Sequence, residues 1–199
     1  DWETFDEDLH YLMRDHFAEV DDSGVFVGGG RNLTDVDDLQ RLKTAKPRGH
    51  DGGRTYDDVG GVYAPSPRVC ACPHQAWFSD THSTALHEGG HVIDDALGRV
   101  SGSAEWKAAH DAIPMNDWMN PYYRATGNPT GYLSESWAES LAAYQRGMND
   151  GLTGDDLAEF VGRAVGINPQ NTISGENAAI LTGRPLVDAV ATLLKRVGR

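Results

Sequence analysis

The sequence predicts an α+β fold that is mainly helical, with a small sheet beside a central helix. Apolar residues recur at helical spacing in several segments of the 199-residue chain, for example over residues 2–20 and 153–165. Two short apolar runs, residues 61–64 and 68–72, surround a turn that contains two prolines, a pattern typical of a β-hairpin. Several helices with a few short strands form the α+β class.

Length and charge limit the architecture and the partners. A chain of 199 residues is most simply one domain, so we expect residues 1–199 to form a single, monomeric domain. The net charge of −13 repels polyanions, which predicts that nucleic acid is not a partner. No apolar run approaches the roughly 20 residues that a membrane span requires, so the sequence also predicts no such span.

The first 72 residues are predicted to hold two helices and three strands. Residues 2–20 predict a helix, and residues 25–27 predict a short strand that three glycines end. Thr34 can cap a second helix that runs to about Thr44. The hairpin follows a loop rich in Gly and Asp. A sheet edge beside the central helix can hold an extended peptide by strand addition.

The central helix is predicted to begin near Thr81 or Ser83, either of which can cap it, and to end at Gly98. Its apolar residues give it a side that we expect to be buried: Leu86, Val92, Ile93 and Leu97. Gly89 and Gly90 are unusual in a helix interior, where each costs about 1 kcal/mol relative to Ala. They indicate that something approaches the helix closely, and both a substrate and a packed element of the fold are open explanations.

The second half of the chain is predicted to contain four helices and one long loop. Capping residues and a proline mark the predicted helix starts: Ser103, Ser134, Thr153 and Pro185. The first two of these helices are expected to end near Ala112 and Tyr144. The loop over residues 114–133 is rich in aromatic residues, and we expect it to wall a cleft.

The central helix carries the pattern His87-Glu88-Gly89-Gly90-His91, which is H-E-x-x-H. Positions i and i+4 project from the same face of a helix, so the two imidazoles can bind one zinc ion. Glu88 follows the first histidine and can reach a water molecule at that metal. The pattern therefore predicts a catalytic Zn²⁺ ion with His87 and His91 as ligands and Glu88 as the general base.

Two histidines leave a catalytic zinc site one protein ligand short. A third histidine six residues after His91 would fall on Leu97, so that solution fails. His110 is one alternative, but Glu135 on a later helix is the better candidate. Glu139 lies one turn after Glu135 and can accept the N–H of a ligating histidine, most plausibly His87, which would fix the tautomer of that ring.

Two cysteines, Cys70 and Cys72, stand on the second strand of the hairpin and are expected to point to one face. We interpret them as small buried residues. A local disulfide, free thiols and a contribution to a metal site are also open, although a C-x-C pair alone is a weak metal signal.

The two motifs together resemble the lethal-factor-like zinc metallopeptidases, a family of gluzincins that includes the bacterial Pro-Pro endopeptidases. The resemblance rests on His87-Glu88-Gly89-Gly90-His91, the following aliphatic residues with Asp94 and Asp95, and the later segment Glu135-Ser136-Trp137-Ala138-Glu139. It covers roughly residues 83–145. It implies a zincin-like metallopeptidase domain with His87, His91 and Glu135 as zinc ligands and Glu88 as the base. Asp94 would support the fold or contact the ligands.

The chain departs from that family at the tyrosine that donates to the oxyanion. Its usual place, seven residues before the ligand Glu, falls on Asn128. Tyr132 is the nearest replacement and is our predicted donor, with Tyr122 and Tyr123 as alternatives.

The resulting hypothesis is a zinc-dependent endopeptidase that acts on a peptide or protein bound along the sheet edge. A secreted protease or a toxin delivered to a target cell would suit this activity, so we expect an extracellular or target-cell location. Hydrolysis of peptidoglycan peptides is one alternative. A non-enzymatic binding module, in which zinc only stabilises two helices, is another.

Overall fold

The computed structural model describes residues 32–47, 54–66, 68–72, 84–114, 118–166 and 175–196. The predicted helix over residues 2–20 and the predicted strand over residues 25–27 lie outside these ranges. Five α-helices are described: α1 (Thr84–Ala96), α2 (Ala104–Asp111), α3 (Tyr132–Asn149), α4 (Gly154–Val165) and α5 (Gly175–Arg196). Short 3-10 helices cover Leu33–Asp35, Asp37–Leu42, Tyr56–Asp58, Val100–Gly102 and Pro121–Tyr123.

The sheet of the described residues is a two-stranded antiparallel hairpin, β1 (Val62–Ala64) and β2 (Val69–Ala71). Its register places Tyr63 opposite Cys70. Both strands pack against α1. The prediction of a mainly helical α+β fold with a small sheet beside the central helix is therefore confirmed.

Helices α1 and α3 pack against each other and form the central pair of the fold. Gly90 permits their close approach, because a Cβ atom at that position would lie 2.8 Å from the Cα atom of Ala138 on α3. Real side chains almost never come this close to a neighbouring backbone. Packing against α3 therefore accounts for Gly90. Of the two explanations for a close approach, a substrate and a packed element of the fold, the second applies to this residue.

The main core lies among α1, α3, α4 and α5, and the two largest buried side chains join it to α2. Trp106 and Trp137 pack edge to face, with ring centroids 5.1 Å apart. Ser103 accepts a hydrogen bond from the backbone N–H of Trp106, so the predicted cap of α2 is confirmed. None of the described helices combines the length and apolarity needed to cross a membrane.

Three predicted helix starts are wrong. Thr34 does not cap a long helix, because Asp57 accepts hydrogen bonds from its N–H and its hydroxyl and two 3-10 helices form there instead. Helix α3 begins at Tyr132, so Ser134 lies inside its first turn. Helix α5 contains Pro185 in its interior instead of beginning there. Its packing against α4 offsets the backbone hydrogen bond that proline removes.

A candidate metal centre between two helices

A metal-binding triad of His87, His91 and Glu135 lies where α1 faces α3. One possible ligand atom from each residue lies within 4.8 Å of the other two. The Nε2 atoms of His87 and His91 are 3.1 and 3.3 Å from Oε2 of Glu135. Two imidazole nitrogens and one carboxylate oxygen are the donor set of many catalytic zinc sites, so the residues fit such an ion.

The second turn of α3 orients the first histidine. Glu139 is fully buried, and its Oε2 accepts a hydrogen bond from Nδ1 of His87 at 2.8 Å. Because Nδ1 donates to Glu139, Nε2 is the ring nitrogen that faces Glu135 and would be left to bind a metal. The structure therefore places Glu139 where the sequence predicts it.

The second histidine has a partner that the sequence reasoning missed. Oγ of Ser134 lies 3.2 Å from Nδ1 of His91, so this hydroxyl can accept the N–H of the ring. The sequence predicts a helix cap at Ser134 instead. The only signal in the sequence was its position next to Glu135, which brings it to the same end of α3.

The charges around the triad favour a cation. Burial lowers the pKa of His87, but hydrogen bonds and charge from Glu135 and Glu139 outweigh burial and raise it well above the usual range. Burial raises the pKa of Glu135, whereas the two histidines hold it well below the usual range of a carboxyl group. Glu135 is thus an anion beside two imidazoles, and a divalent ion bound by these three residues would replace the protons that hold them together.

Glu88 lies beside the triad on α1 and is buried, with 7% of its surface exposed. Burial raises the pKa of its carboxyl group, and the charges of His87 and His91 act in the opposite direction. The backbone N–H of Tyr63 on β1 donates a hydrogen bond to this carboxylate. Glu88 therefore connects the metal centre to the hairpin.

A cleft of about 810 Å³ opens onto the triad and onto Glu88. Strand β1 and the segment before α3 form its walls, and aromatic residues are frequent in its lining: Tyr56, Tyr63, Tyr122 and Tyr123. The loop before α3 thus walls the cleft as predicted.

Tyr122 and Tyr132 are the two candidates for a hydrogen-bond donor beside the metal-binding triad. Burial and the charges of Glu135 and Glu88 raise the pKa of Tyr122 far above its usual value, and its hydroxyl hydrogen-bonds to Glu135. Tyr132 instead packs against His110, with ring centroids 5.0 Å apart, and is not among the described residues that line the cleft. The geometry favours Tyr122, and the predicted role of Tyr132 has no support from its position.

Several other predicted residues lie outside the triad. Asp94 accepts hydrogen bonds from the N–H and hydroxyl of Ser101, so it ties the end of α1 to the following turn. His110 contacts the carbonyl oxygen of Tyr123 through Nε2 and does not approach the triad. Cys70 and Cys72 are buried and are not joined by a disulfide in this structure.

Fold and site together define an α+β domain with a metal-binding triad in the lining of a cleft. Among solved structures, the Pro-Pro endopeptidase PPEP-2 from Paenibacillus alvei is similar in fold, with a TM-score of 0.60 and 22% sequence identity over 94% of this chain and 89% of that one. No family model and no curated protein matches the sequence. The resemblance inferred from the two motifs is therefore supported at the level of the fold.

Proposed function

We propose that this protein is a zinc-dependent endopeptidase. The observation that carries the proposal is the convergence of His87, His91 and Glu135 on one point beside the buried carboxylate of Glu88. Three protein ligands leave a position for water or substrate, whereas structural zinc sites are closed by four. The similar fold of a Pro-Pro endopeptidase supports the same class of reaction.

The chain supplies the groups that peptide hydrolysis needs. A bound zinc ion would lower the pKa of a water molecule and polarise the scissile carbonyl group. Glu88 accepts the proton of the attacking water and passes it to the nitrogen of the departing amine. Burial raises the pKa of Glu88, so its carboxylate is a stronger base than one in water.

Tyr122 is the proposed donor to the oxyanion that forms when water attacks the carbonyl carbon. It lines the cleft, and its hydroxyl reaches Glu135 at the metal centre. A donor already in place costs no reorganisation when the negative charge develops. Tyr122 therefore takes the role that the sequence assigned to Tyr132.

The substrate is proposed to be an extended peptide along the cleft-facing edge of β1. Residues 61–64 line the cleft, and backbone groups at a sheet edge can pair with a peptide strand. Aromatic walls suit the rings of proline residues. Because the similar structure is named a Pro-Pro endopeptidase, a library with consecutive prolines is the first to test.

The decisive experiment compares wild type with Glu88→Gln on a peptide library, with and without a chelator. We expect the variant to keep one zinc ion per chain and to lose about 10²- to 10⁴-fold in kcat, because only the base is removed. Glu105→Gln, which changes an exposed carboxylate on α2, is the matched control and should behave as wild type.

Three outcomes would count against this proposal in different ways. Cleavage by Glu88→Gln at the wild-type rate would remove the mechanism. Stoichiometric zinc without cleavage of any peptide would favour the binding module. Cleavage of purified cell wall but not of casein would favour a peptidoglycan peptide as substrate. The location outside the producing cell stays a prediction, which none of these experiments tests.

A further inference from the structure

The residue just before strand β1, Gly61, lies against the side chains of α1. A Cβ atom on Gly61 would lie 2.8 Å from Cγ and 3.0 Å from Oε1 of Glu88. On its other side it would lie 2.7 Å from Cγ2 of Thr84. Side-chain carbons do not normally come this close, so this position has room for hydrogen only.

We infer that Gly61 is a positioning residue for Glu88, an inference that rests on the proposed peptidase activity. The absent side chain lets the hairpin lie directly against the carboxylate of the base. Two residues later, the backbone N–H of Tyr63 donates a hydrogen bond to the same carboxylate. Gly61 thus allows the contact, and Tyr63 fixes the direction in which the carboxylate points.

A methyl group at position 61 would clash with two side chains of α1 unless one of the elements moves. Thr84 and Glu88 lie one turn apart on α1 and bound the space from two sides. Either the side chain of Glu88 turns away or the hairpin moves outward, and each change lengthens the hydrogen bond to Tyr63. The three nearest atoms belong to Thr84 and Glu88 and not to His87, His91 or Glu135, so we expect the metal ligands to keep their positions.

Two elements, the helix α1 and the hairpin, together position the side chain of Glu88. Helix α1 fixes the Cα atom of Glu88, but a glutamate side chain has three rotatable bonds and several rotamers. The hairpin removes this freedom by steric contact at Gly61 and by one directed hydrogen bond at Tyr63. Misplacement of a reacting group by about 1 Å can cost about 10²-fold in rate.

The test is Gly61→Ala in the zinc-loaded protein. We expect kcat to fall about 10- to 100-fold, with KM within about twofold of wild type and an unchanged dissociation constant for zinc. Gly102→Ala is the matched control, because Gly102 lines the same cleft and a Cβ atom there would meet nothing within 4 Å. It should leave kcat, KM and zinc affinity as they are.

A second measurement follows the geometry without activity. The amide proton of Tyr63 should shift upfield in the NMR spectrum of Gly61→Ala but not of Gly102→Ala, because the hydrogen bond to Glu88 lengthens. Adding Thr84→Ser to Gly61→Ala removes the Cγ2 methyl group and should recover part of the lost kcat.

The results separate this inference from the proposed function. Wild-type kcat together with an unshifted Tyr63 amide in Gly61→Ala would overturn the positioning role. Loss of zinc or of folded protein that accounts for the whole loss of activity would also overturn it, in favour of a structural role. If wild-type protein cleaves no peptide, the proposed function fails, and the Tyr63 amide shift still reports whether Gly61 positions Glu88.

Discussion

The metal centre has two sides that are built differently. On the helical side, α1 and α3 carry His87, Glu135 and Glu139, all held in regular helices whose contact face is buried. On the other side, the hairpin and the loop before α3 carry Gly61 and Tyr122, whose neighbours at the site are residues of α1 and α3. The comparison indicates that two regular helices hold the metal-binding triad, whereas the hairpin and the loop place Gly61 and Tyr122 beside it.

Apart from removal of the base Glu88, the largest effect is expected on the strand and loop side, from Tyr122→Phe. Removing an oxyanion donor costs about 10²- to 10³-fold in kcat, and we expect this loss with little change in KM. Zinc content should not change, because the tyrosine is not a ligand. Steady-state kinetics on the best library peptide, with metal analysis of the same samples, measures both quantities.

Tyr132→Phe is the matched control for that variant. Its ring packs against His110 away from the cleft lining, so loss of its hydroxyl should leave kcat within about twofold of wild type. The reverse result, a large loss in Tyr132→Phe and none in Tyr122→Phe, would show that the sequence-based choice of donor is right and the geometric one is wrong.

The same difference between the two sides determines what the sequence could predict. His87 and His91 share a helix face by periodicity alone, and Glu135 and Glu139 do so on a second helix, so the triad and the partner of His87 follow from spacing. The position of Tyr122 does not, because an irregular loop has no period that brings a residue to a known face. The contact of Gly61 with Glu88 depends equally on how the hairpin docks, which is a tertiary property.

The helix starts illustrate this limit on a smaller scale. Ser103 caps α2 by a local hydrogen bond to a residue three positions later, and local sequence was enough to predict it. Ser134 has the same chemistry, yet its hydroxyl lies beside His91, a residue 43 positions away in the chain. When a local and a distant partner are both within reach of a hydroxyl group, the sequence alone does not determine which one it contacts.

The next effect in size is expected on the helical side, from Glu139→Gln. The substitution keeps the shape of the side chain but removes the charge that orients His87, and zinc affinity should fall about 10- to 100-fold. Competition with a chromophoric chelator measures the dissociation constant. The exposed variant Glu105→Gln serves as the control, and an unchanged constant for Glu139→Gln would mean that the packing of α1 against α3 alone orients His87.

The smallest effect is expected from Ser134→Ala, which removes the neutral partner of His91. A hydrogen bond of this kind contributes about 0.5–1.5 kcal/mol, so zinc affinity should fall roughly two- to tenfold, less than for the charged partner of His87. Ser136→Ala is the matched control, since its hydroxyl donates to the carbonyl oxygen of Leu133 and contacts no ligand. If Ser134→Ala weakens zinc binding as much as Glu139→Gln does, the two histidines depend equally on α3, and charge is not what distinguishes their partners.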